Sequence, residues 1–103
     1  MKYEIRESEP FEKWFAGLRD IAAKRLILAR LARIENGNLG DYKTFDGIIE
    51  LRIFRGPGYR LYGAIEDGRL LILLVGGDKT SQKSDIDRAR KVLEDIRDEN
   101  QTI

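Results

Sequence analysis

The sequence predicts an α+β domain with the element order β-αα-βββ-α, in which a small antiparallel sheet packs against an N-terminal helical hairpin and a C-terminal helix. Between Gly47 and Lys79, three apolar runs rich in β-branched residues are separated by two glycine-marked turns, which is typical of an antiparallel meander. Helical apolar periodicity flanks this stretch on both sides. A chain of 103 residues suits one domain, residues 1–103, with a core of its own.

Composition excludes several kinds of chemistry. The chain has no cysteine and no histidine, which rules out disulfide frameworks, Cys/His zinc sites and histidine acid–base catalysis. We expect no cofactor and no metal. The N-terminus lacks an apolar signal core and no apolar run approaches the roughly 20 residues of a membrane span, so we expect a cytoplasmic protein without membrane contact. A net charge of +1 argues neither for nor against nucleic-acid binding.

The N-terminal part predicts an edge strand and two helices. Lys2–Arg6 alternates charged and apolar residues as a short edge strand does. Ser8 precedes proline and begins a first helix, and Asp20 caps a second helix that runs to about Glu35 and ends at the Asn36-Gly37 stop. The apolar stripe of the first helix consists of Phe11, Trp14, Phe15 and Leu18.

The second helix combines an apolar arc with arginines. Arg25, Arg30 and Arg33 fall on the opposite side from the arc, as either a solvated face or a basic ridge for phosphates. The predicted buried arc consists of Ala23, Ile27, Leu28, Leu31 and Ile34.

Loops and a last helix complete the order. Asn38–Asp46 is predicted to be a polar loop before the meander, and Thr80–Ser84 a loop after it. Ser84 and Asp87 resemble a capping pair for the C-terminal helix, and Glu99–Ile103 is predicted to fray. The apolar stripe of this helix consists of Ile86, Ala89, Leu93 and Ile96.

The meander predicts one polar sheet face. Alternation places Glu50 and Arg52 on the face opposite to Ile49, Leu51 and Ile53, and the next strand adds Arg60 and Tyr62 to the polar face. The third run, Leu70–Val75, is apolar throughout and predicts a strand covered on both sides. Lys79 follows this strand after a glycine pair, and we expect Arg60 and Lys79 to face solvent.

These side chains suit the cleavage of RNA. RNA carries its own nucleophile, the 2′-OH, so cleavage needs alignment, charge stabilisation and proton transfer. Arginine matches phosphate oxygens, lysine serves an attacking or leaving oxygen, and tyrosine stacks on a base or positions a hydroxyl. A glycosidase pair is not supported because Glu50 has no acidic neighbour on its face. A purely structural polar face with cross-strand Glu–Arg pairs remains the alternative.

The chain resembles a known toxin family over nearly its whole length. The residues that match are Glu50-Leu51-Arg52, Gly58–Tyr62, Gly76–Lys79, Gln82 and Asp85-Ile86. Their order and spacing resemble the HigB-like branch of the RelE/ParE superfamily, the addiction module killer proteins of bacteria and their phages.

This resemblance implies a RelE-like fold and a type II toxin that binds the ribosomal A site, cuts translated mRNA as a metal-independent endoribonuclease, and is neutralised by a cognate helix-turn-helix antitoxin. Oligomers are expected only through the antitoxin complex. By position, Arg60 matches the arginine that steadies the scissile phosphate, and Lys79 the basic residue that assists the leaving group. Arg52 matches a basic residue on the preceding strand. Tyr62, Gln82 and Arg55 are implied as substrate-binding residues.

The chain departs from the family pattern at the general base. Many relatives carry tyrosine or histidine near the start of the last helix, where this chain offers Asp85, and the chain is also less basic than typical ribosome-directed members. We therefore nominate Glu50 as the base, because it shares a face with two arginines.

The same resemblance leaves two alternative functions open and suggests which surface contacts the antitoxin. The alternatives are a ParE-like toxin that inhibits a topoisomerase without catalysis, and an inactive relative that only binds antitoxin. The helical hairpin is expected to contact the antitoxin, with Arg25, Arg30 and Arg33 meeting acidic residues.

Overall fold

In a computed structural model of the protein, residues 2–101 form three helices and one five-stranded sheet, which confirms the predicted α+β class. The structure describes residues 2–101, without the side chains of Asn100 and Gln101. No helix in this range is long and apolar enough to cross a membrane. In chain order the elements are β1 (Glu4–Glu7), α1 (Glu9–Gly17), α2 (Ile21–Glu35), β2 (Tyr42–Phe45), β3 (Ile48–Ile53), β4 (Tyr59–Glu66), β5 (Leu70–Gly77), a 3-10 turn (Lys79–Ser81) and α3 (Gln82–Gln101).

The sheet has the strand order β1-β5-β4-β3-β2 and is mixed. Strands β3 to β5 are antiparallel neighbours as predicted, and β2 adds a fourth antiparallel strand beside β3. Strand β1 pairs with β5 in parallel, so the expectation of a wholly antiparallel sheet is wrong. Strand β2 lies within the predicted loop 38–46. Asp46 and Gly47 both have positive φ, 51° and 91°, and form the two-residue hairpin turn that joins β2 to β3.

The two N-terminal helices begin at the predicted caps. The Ser8 hydroxyl accepts from the Phe11 amide at 3.2 Å and donates to the Leu74 carbonyl at 2.6 Å, which fixes the start of α1 on β5. Asp20 accepts from the Ala23 amide at 3.0 Å and caps α2. Both helices cover one sheet face, and the core between them consists of Phe11, Ile27, Leu31, Ile34, Ile49, Leu51, Ile53, Leu61, Leu71 and Leu73.

Helix α3 covers the opposite face, so β5 is buried on both sides as predicted. It begins at Gln82 rather than near Ser84, because Asp78 and Ser81 cap the preceding 3-10 turn and the Ser84 hydroxyl already donates to the Ser81 carbonyl inside the helix. The predicted Ser84–Asp87 capping pair is therefore wrong. Glu99 is helical rather than frayed, and Thr102 and Ile103 lie outside the described residues.

Two positions of α2 contradict the helical wheel. Leu28 is 55% exposed, whereas Arg30 is only 5% exposed. Arg30 donates from Nε to the Leu39 carbonyl at 2.8 Å, from Nη1 to the Arg52 carbonyl at 2.9 Å, and from Nη2 to the Asp41 carbonyl. It thereby satisfies carbonyls where β3 runs past the end of β2, which no pattern along the helix reveals.

Candidate active site

The predicted polar face exists, and the sheet register brings its members together. Glu50 on β3 stands opposite Tyr62 on β4, and Arg52 stands opposite Arg60. Arg60 in turn stands opposite Gly77 at the end of β5. The strands therefore place a carboxylate, two guanidinium groups and a phenol on one face of the sheet, beside the start of α3.

Glu50 is the centre of this group. Its side chain is fully buried, and its Oε1 accepts from Arg52 Nε at 3.1 Å. Its Oε2 accepts from Gln82 Nε2 at 2.7 Å and lies 3.5 Å from Arg60 Nε. We call Glu50, Arg52, Arg60 and Gln82 the Glu50 cluster. The buried carboxylate accepts hydrogen bonds from Arg52 and Gln82 and is ion-paired with Arg60, whose Nε has no hydrogen-bond partner among the described residues. These contacts hold both arginines and the first turn of α3 in one arrangement.

Arg60 is not solvent-facing, contrary to expectation. Its side chain is 9% exposed, and Nη1 donates to the Gly58 carbonyl at 2.9 Å. Alternation correctly assigned the sheet face, but this end of the face is closed by the turn after β3 and by the turn that begins at Lys79. Arg52 remains 28% exposed.

Lys79 lies next to Arg60 and is exposed. A Cβ placed on Gly58 would lie 3.4 Å from Arg60 Nη1 and 3.5 Å from Lys79 Cβ, so the two cationic residues flank the same backbone position. Asp78 holds the turn: its carboxylate accepts from the Thr80 hydroxyl at 2.6 Å and the Thr80 amide at 2.9 Å, and these bonds lower the pKa of Asp78. Within residues 2–101 Lys79 forms no ion pair, so its charge is available to a ligand.

No protein-family profile matches the chain, but a relative and solved structures do. A Haemophilus influenzae protein described as uncharacterized is 42% identical over 97 residues, which covers 93% of this chain and 98% of the relative. The two belong to one family. The free E. coli toxin RelE, solved with two arginine-to-alanine substitutions, has a TM-score of 0.67 at 17% identity, covering 88% of this chain and 97% of that one.

The chain has the RelE toxin fold. The RelBE2 toxin–antitoxin complex from Mycobacterium tuberculosis matches at a TM-score of 0.49 and 21% identity, covering 77% of this chain and 100% of that one. The RelE match confirms the predicted fold independently of the residues that were used to predict it.

In this RelE-like fold Tyr62 is a core residue, not a substrate-facing one. It is fully buried in one cluster with Ala89 and Leu93 of α3. Burial raises the pKa of Tyr62 well above its usual range, and the nearby Glu50 carboxylate raises it further. The carboxylate does not meet hydrogen-bond geometry with the hydroxyl, which has no partner among the described residues.

The other two predicted substrate-binding residues, Gln82 and Arg55, lie in different parts of the structure. Gln82 is half-buried and binds Glu50, so it belongs to the cluster. Arg55 does not: its Nε contacts Asp20 at 3.2 Å and 3.3 Å, where α1 meets α2. Arg55 therefore reinforces the cap of α2 rather than the candidate site.

Sequence reasoning did not predict that Asp85 packs against the end of β5 and the turn that follows it. Asp85 is 4% exposed, accepts a hydrogen bond from Ser81 and lies 3.3 Å from Arg88 Nη1. Its carboxylate covers Gly77, where an added Cβ would lie 1.8 Å from Asp85 Oδ2. The glycine pair after the apolar strand was the available signal, since it marks backbone that another group approaches closely.

Neither a metal cluster nor a large cavity marks this site. Residues 2–101 contain no group of three or more His, Cys, Asp or Glu side chains that could hold a metal ion. A cleft of about 770 Å³ lies elsewhere, between the start of α1 and the C-terminal half of α3, and carboxylates line much of it. The cationic surface near Lys79 suits an anionic polymer better than that cleft does.

Proposed function

We propose that this protein is the toxin of a type II toxin–antitoxin system, of the HigB-like branch, and that it cleaves translated mRNA on the ribosome. The observation that supports this most is the Glu50 cluster on a RelE fold, which holds two arginines beside Lys79, a lysine without an ion pair among the described residues. A cognate helix-turn-helix antitoxin, the ribosomal A site and mRNA are the partners this function requires.

The chemistry would use the nucleophile of the substrate. The 2′-oxygen attacks the adjacent phosphorus, a P–O2′ bond forms, the P–O5′ bond breaks, and the products are a cyclic phosphate and a 5′-hydroxyl. Lys79, at the surface, donates a proton to the departing 5′-oxygen. Arg52 and Arg60 stabilise charge on the phosphate oxygens as it develops.

The free donors of the arginines divide this work. Arg60 donates from Nη1 to the Gly58 carbonyl and its Nε lies 3.5 Å from Glu50, which leaves Nη2 for a phosphate oxygen. Arg52 uses Nε on Glu50 and is the more exposed of the two, so its terminal amines can make a two-pronged contact. The pair presents a fixed set of donors, and preorganised donors of this kind account for much of the rate enhancement in acyl and phosphoryl transfer.

Glu50 has a positioning role in this mechanism rather than that of a general base. Both of its oxygens are occupied by donors and its side chain has no exposed surface. The 2′-hydroxyl proton would leave to solvent or to a group of the ribosome. With so few acid–base groups of its own, the protein depends on the ribosome to orient the substrate, and orientation alone can supply roughly 7–11 kcal/mol of a barrier.

Lys79→Ala is the cleanest test. Cleavage of mRNA on programmed ribosomes should fall roughly 10²-fold or more, the effect of losing one electrostatic contact in the transition state. The melting temperature should not change, because Lys79 is exposed and has no ion-pair partner in the described chain. Lys83→Ala, which removes another exposed lysine on α3, is the matched control and should cut at the wild-type rate.

Other outcomes would replace the proposal. If induced expression stopped DNA replication and left mRNA intact, a topoisomerase-inhibiting toxin would be the better interpretation. Efficient cleavage of naked RNA by the pure protein would contradict the dependence on the ribosome. A wild-type cleavage rate for Lys79→Ala would remove the residue from the site.

A further inference from the structure

Phe54 is an exposed aromatic residue next to the Glu50 cluster. It follows β3 by one residue and is 79% exposed, more than the other exposed large apolar residues of the described chain. Exposing a phenylalanine forgoes the stabilisation that burial would provide. Phe54 is two positions from Arg52, and two residues of extended chain span about 7 Å.

Phe54 lines a small cleft between the end of β3 and helix α2. We call this the Phe54 cleft, with a volume of about 190 Å³. Sites for drug-sized ligands measure about 300–1,000 Å³, so this cleft is smaller than such a site and suits a single planar group the size of one nucleobase. Its lining residues are Leu26, Arg30, Arg33, Arg52, Ile53 and Phe54.

The charge of the Phe54 cleft favours an anion. None of its lining residues is acidic, and three are arginines. Arg30 is fully engaged with backbone carbonyls, but Arg33 is exposed and forms no ion pair within residues 2–101. Burial lowers the pKa of Arg30, and the positive charge of Arg33 lowers it further. Asp41 raises the pKa of Arg30, but by less than either of these effects lowers it. Positive charge therefore accumulates at this end of α2.

Arg52 connects the two sites. Its Nε binds Glu50 in the cluster, and Arg52 is also among the residues that line the Phe54 cleft. Because Arg52 stands opposite Arg60 in the sheet, a strand of RNA that leaves Arg60 in this direction passes Arg52 and then meets the cleft. An aromatic ring beside an arginine that forms no ion pair with a described residue, here Arg33, is what a single-stranded nucleotide needs, because the base stacks on the ring and the phosphate binds the cation.

We infer that Phe54 is a base-stacking residue that binds the nucleobase next to the scissile phosphate, with Arg33 on the flanking phosphate. This inference rests on the proposed function and adds a subsite to it. Stacking of this kind accepts any base, because every base has a π-face, so the subsite contributes affinity and alignment rather than sequence preference. The acidic cleft beside the C-terminal half of α3 would repel the same strand.

Removing the ring and removing the base should have the same effect. Phe54→Ala should raise the concentration of programmed ribosomes at half-maximal cleavage by roughly five- to hundredfold, the effect of losing one stacked base. Phe54→Tyr should keep most of the wild-type behaviour. A message with an abasic nucleotide beside the cleavage site should weaken wild type by a similar factor and leave Phe54→Ala unaffected, since the two changes remove one contact.

Matched controls separate this subsite from general surface effects. Tyr42→Ala removes another exposed aromatic and Arg25→Ala another exposed arginine of α2, and neither lines the Phe54 cleft. Both should cut as wild type does, whereas Arg33→Ala should weaken binding and its salt dependence. The melting temperature of Phe54→Ala should stay within a few degrees of wild type, because the ring is exposed.

Failure of this inference can be told from failure of the proposed function. If the wild-type protein cut no message, the function itself would be wrong and the subsite with it. If wild type cut normally while Phe54→Ala matched it, or if the abasic message weakened both proteins equally, the function would stand and the subsite would be rejected. The Phe54 cleft would then be a candidate for contact with a protein partner.

Discussion

Removing the buried carboxylate at position 50 should destabilise the domain strongly. In Glu50→Ala, Arg60 keeps its charge in a position only 9% exposed and loses its counter-charge. Breaking a buried pair from one side costs about 3–5 kcal/mol. Arg52 is 28% exposed and regains water, so it adds little. Against a total stability of about 5–15 kcal/mol, this loss should lower the melting temperature on the order of 15–30 °C.

Two further variants test the cause of this loss. Glu50→Gln keeps the shape but turns one acceptor into a donor facing other donors, and should cost about 1.5–3 kcal/mol. Glu50→Leu combined with Arg60→Met removes both charges and should recover most of the stability lost by Glu50→Ala, because a buried pair can be replaced by apolar groups at little net cost. Urea unfolding at pH 7 measures all three free energies of unfolding.

Two results would refute this reasoning. A loss below about 1 kcal/mol in Glu50→Ala would show that the pair is effectively solvated. A double variant no more stable than the single one would show that packing, and not the stranded charge, causes the loss. Cleavage by Glu50→Gln should be slower with an unchanged pH profile, whereas a general base at this position would make the acidic limb of the profile disappear.

Three more outcomes follow from the buried contacts. Burial raises the pKa of Tyr62, so above about pH 10 only the unfolded chain loses the phenol proton, and the free energy of unfolding falls by up to about 1.4 kcal/mol per pH unit. Tyr62→Phe should remove this contribution to the pH dependence, measured by urea unfolding at pH 7 and pH 11. An unchanged pH dependence in Tyr62→Phe would contradict the prediction. Gly76→Ala should lower the free energy of unfolding by about 1–3 kcal/mol, because the new Cβ would lie 2.1 Å from the Trp14 ring. Gly17→Ala is the control and should be neutral or stabilising, because no atom lies within 4 Å of its Cβ position. Equal melting temperatures of the two variants would reject this difference. Arg30→Lys should lower the free energy of unfolding by about 1–3 kcal/mol in the same assay, because it leaves buried carbonyls without a donor. A change within about 0.5 kcal/mol would mean that Arg30 behaves as a surface residue.

Local patterns in the sequence were sufficient for most of the fold. Ser8 and Asp20 cap the first two helices because capping depends on one side chain and the next three residues. The two faces of β3 and β4 follow from alternation, which any extended chain must obey. The resemblance carried by short motifs also led to the RelE fold. The polar composition of residues 38–46 predicts a loop where β2 forms, although the Asp46-Gly47 dipeptide is itself a hairpin signal.

Burial at the site was decided by the tertiary structure. Alternation assigned Glu50, Arg60 and Tyr62 to one face, but it contains no information about what lies on that face. Helix α3 covers Tyr62, and its first residue, Gln82, binds Glu50. The polar side chains on this face therefore form a buried ionic network instead of a solvent-exposed surface.

Contacts across long sequence separations determined the rest. Arg30 lies on the polar side of its helix, yet its long side chain reaches carbonyls at the unpaired end of β3, 22 positions along the chain. Strand β1 pairs with β5 in parallel, although 66 positions separate Glu4 from its partner Leu70. Such partners meet only when the whole chain has packed, because a side chain's environment depends on its neighbours in space while a sequence pattern records neighbours along the chain.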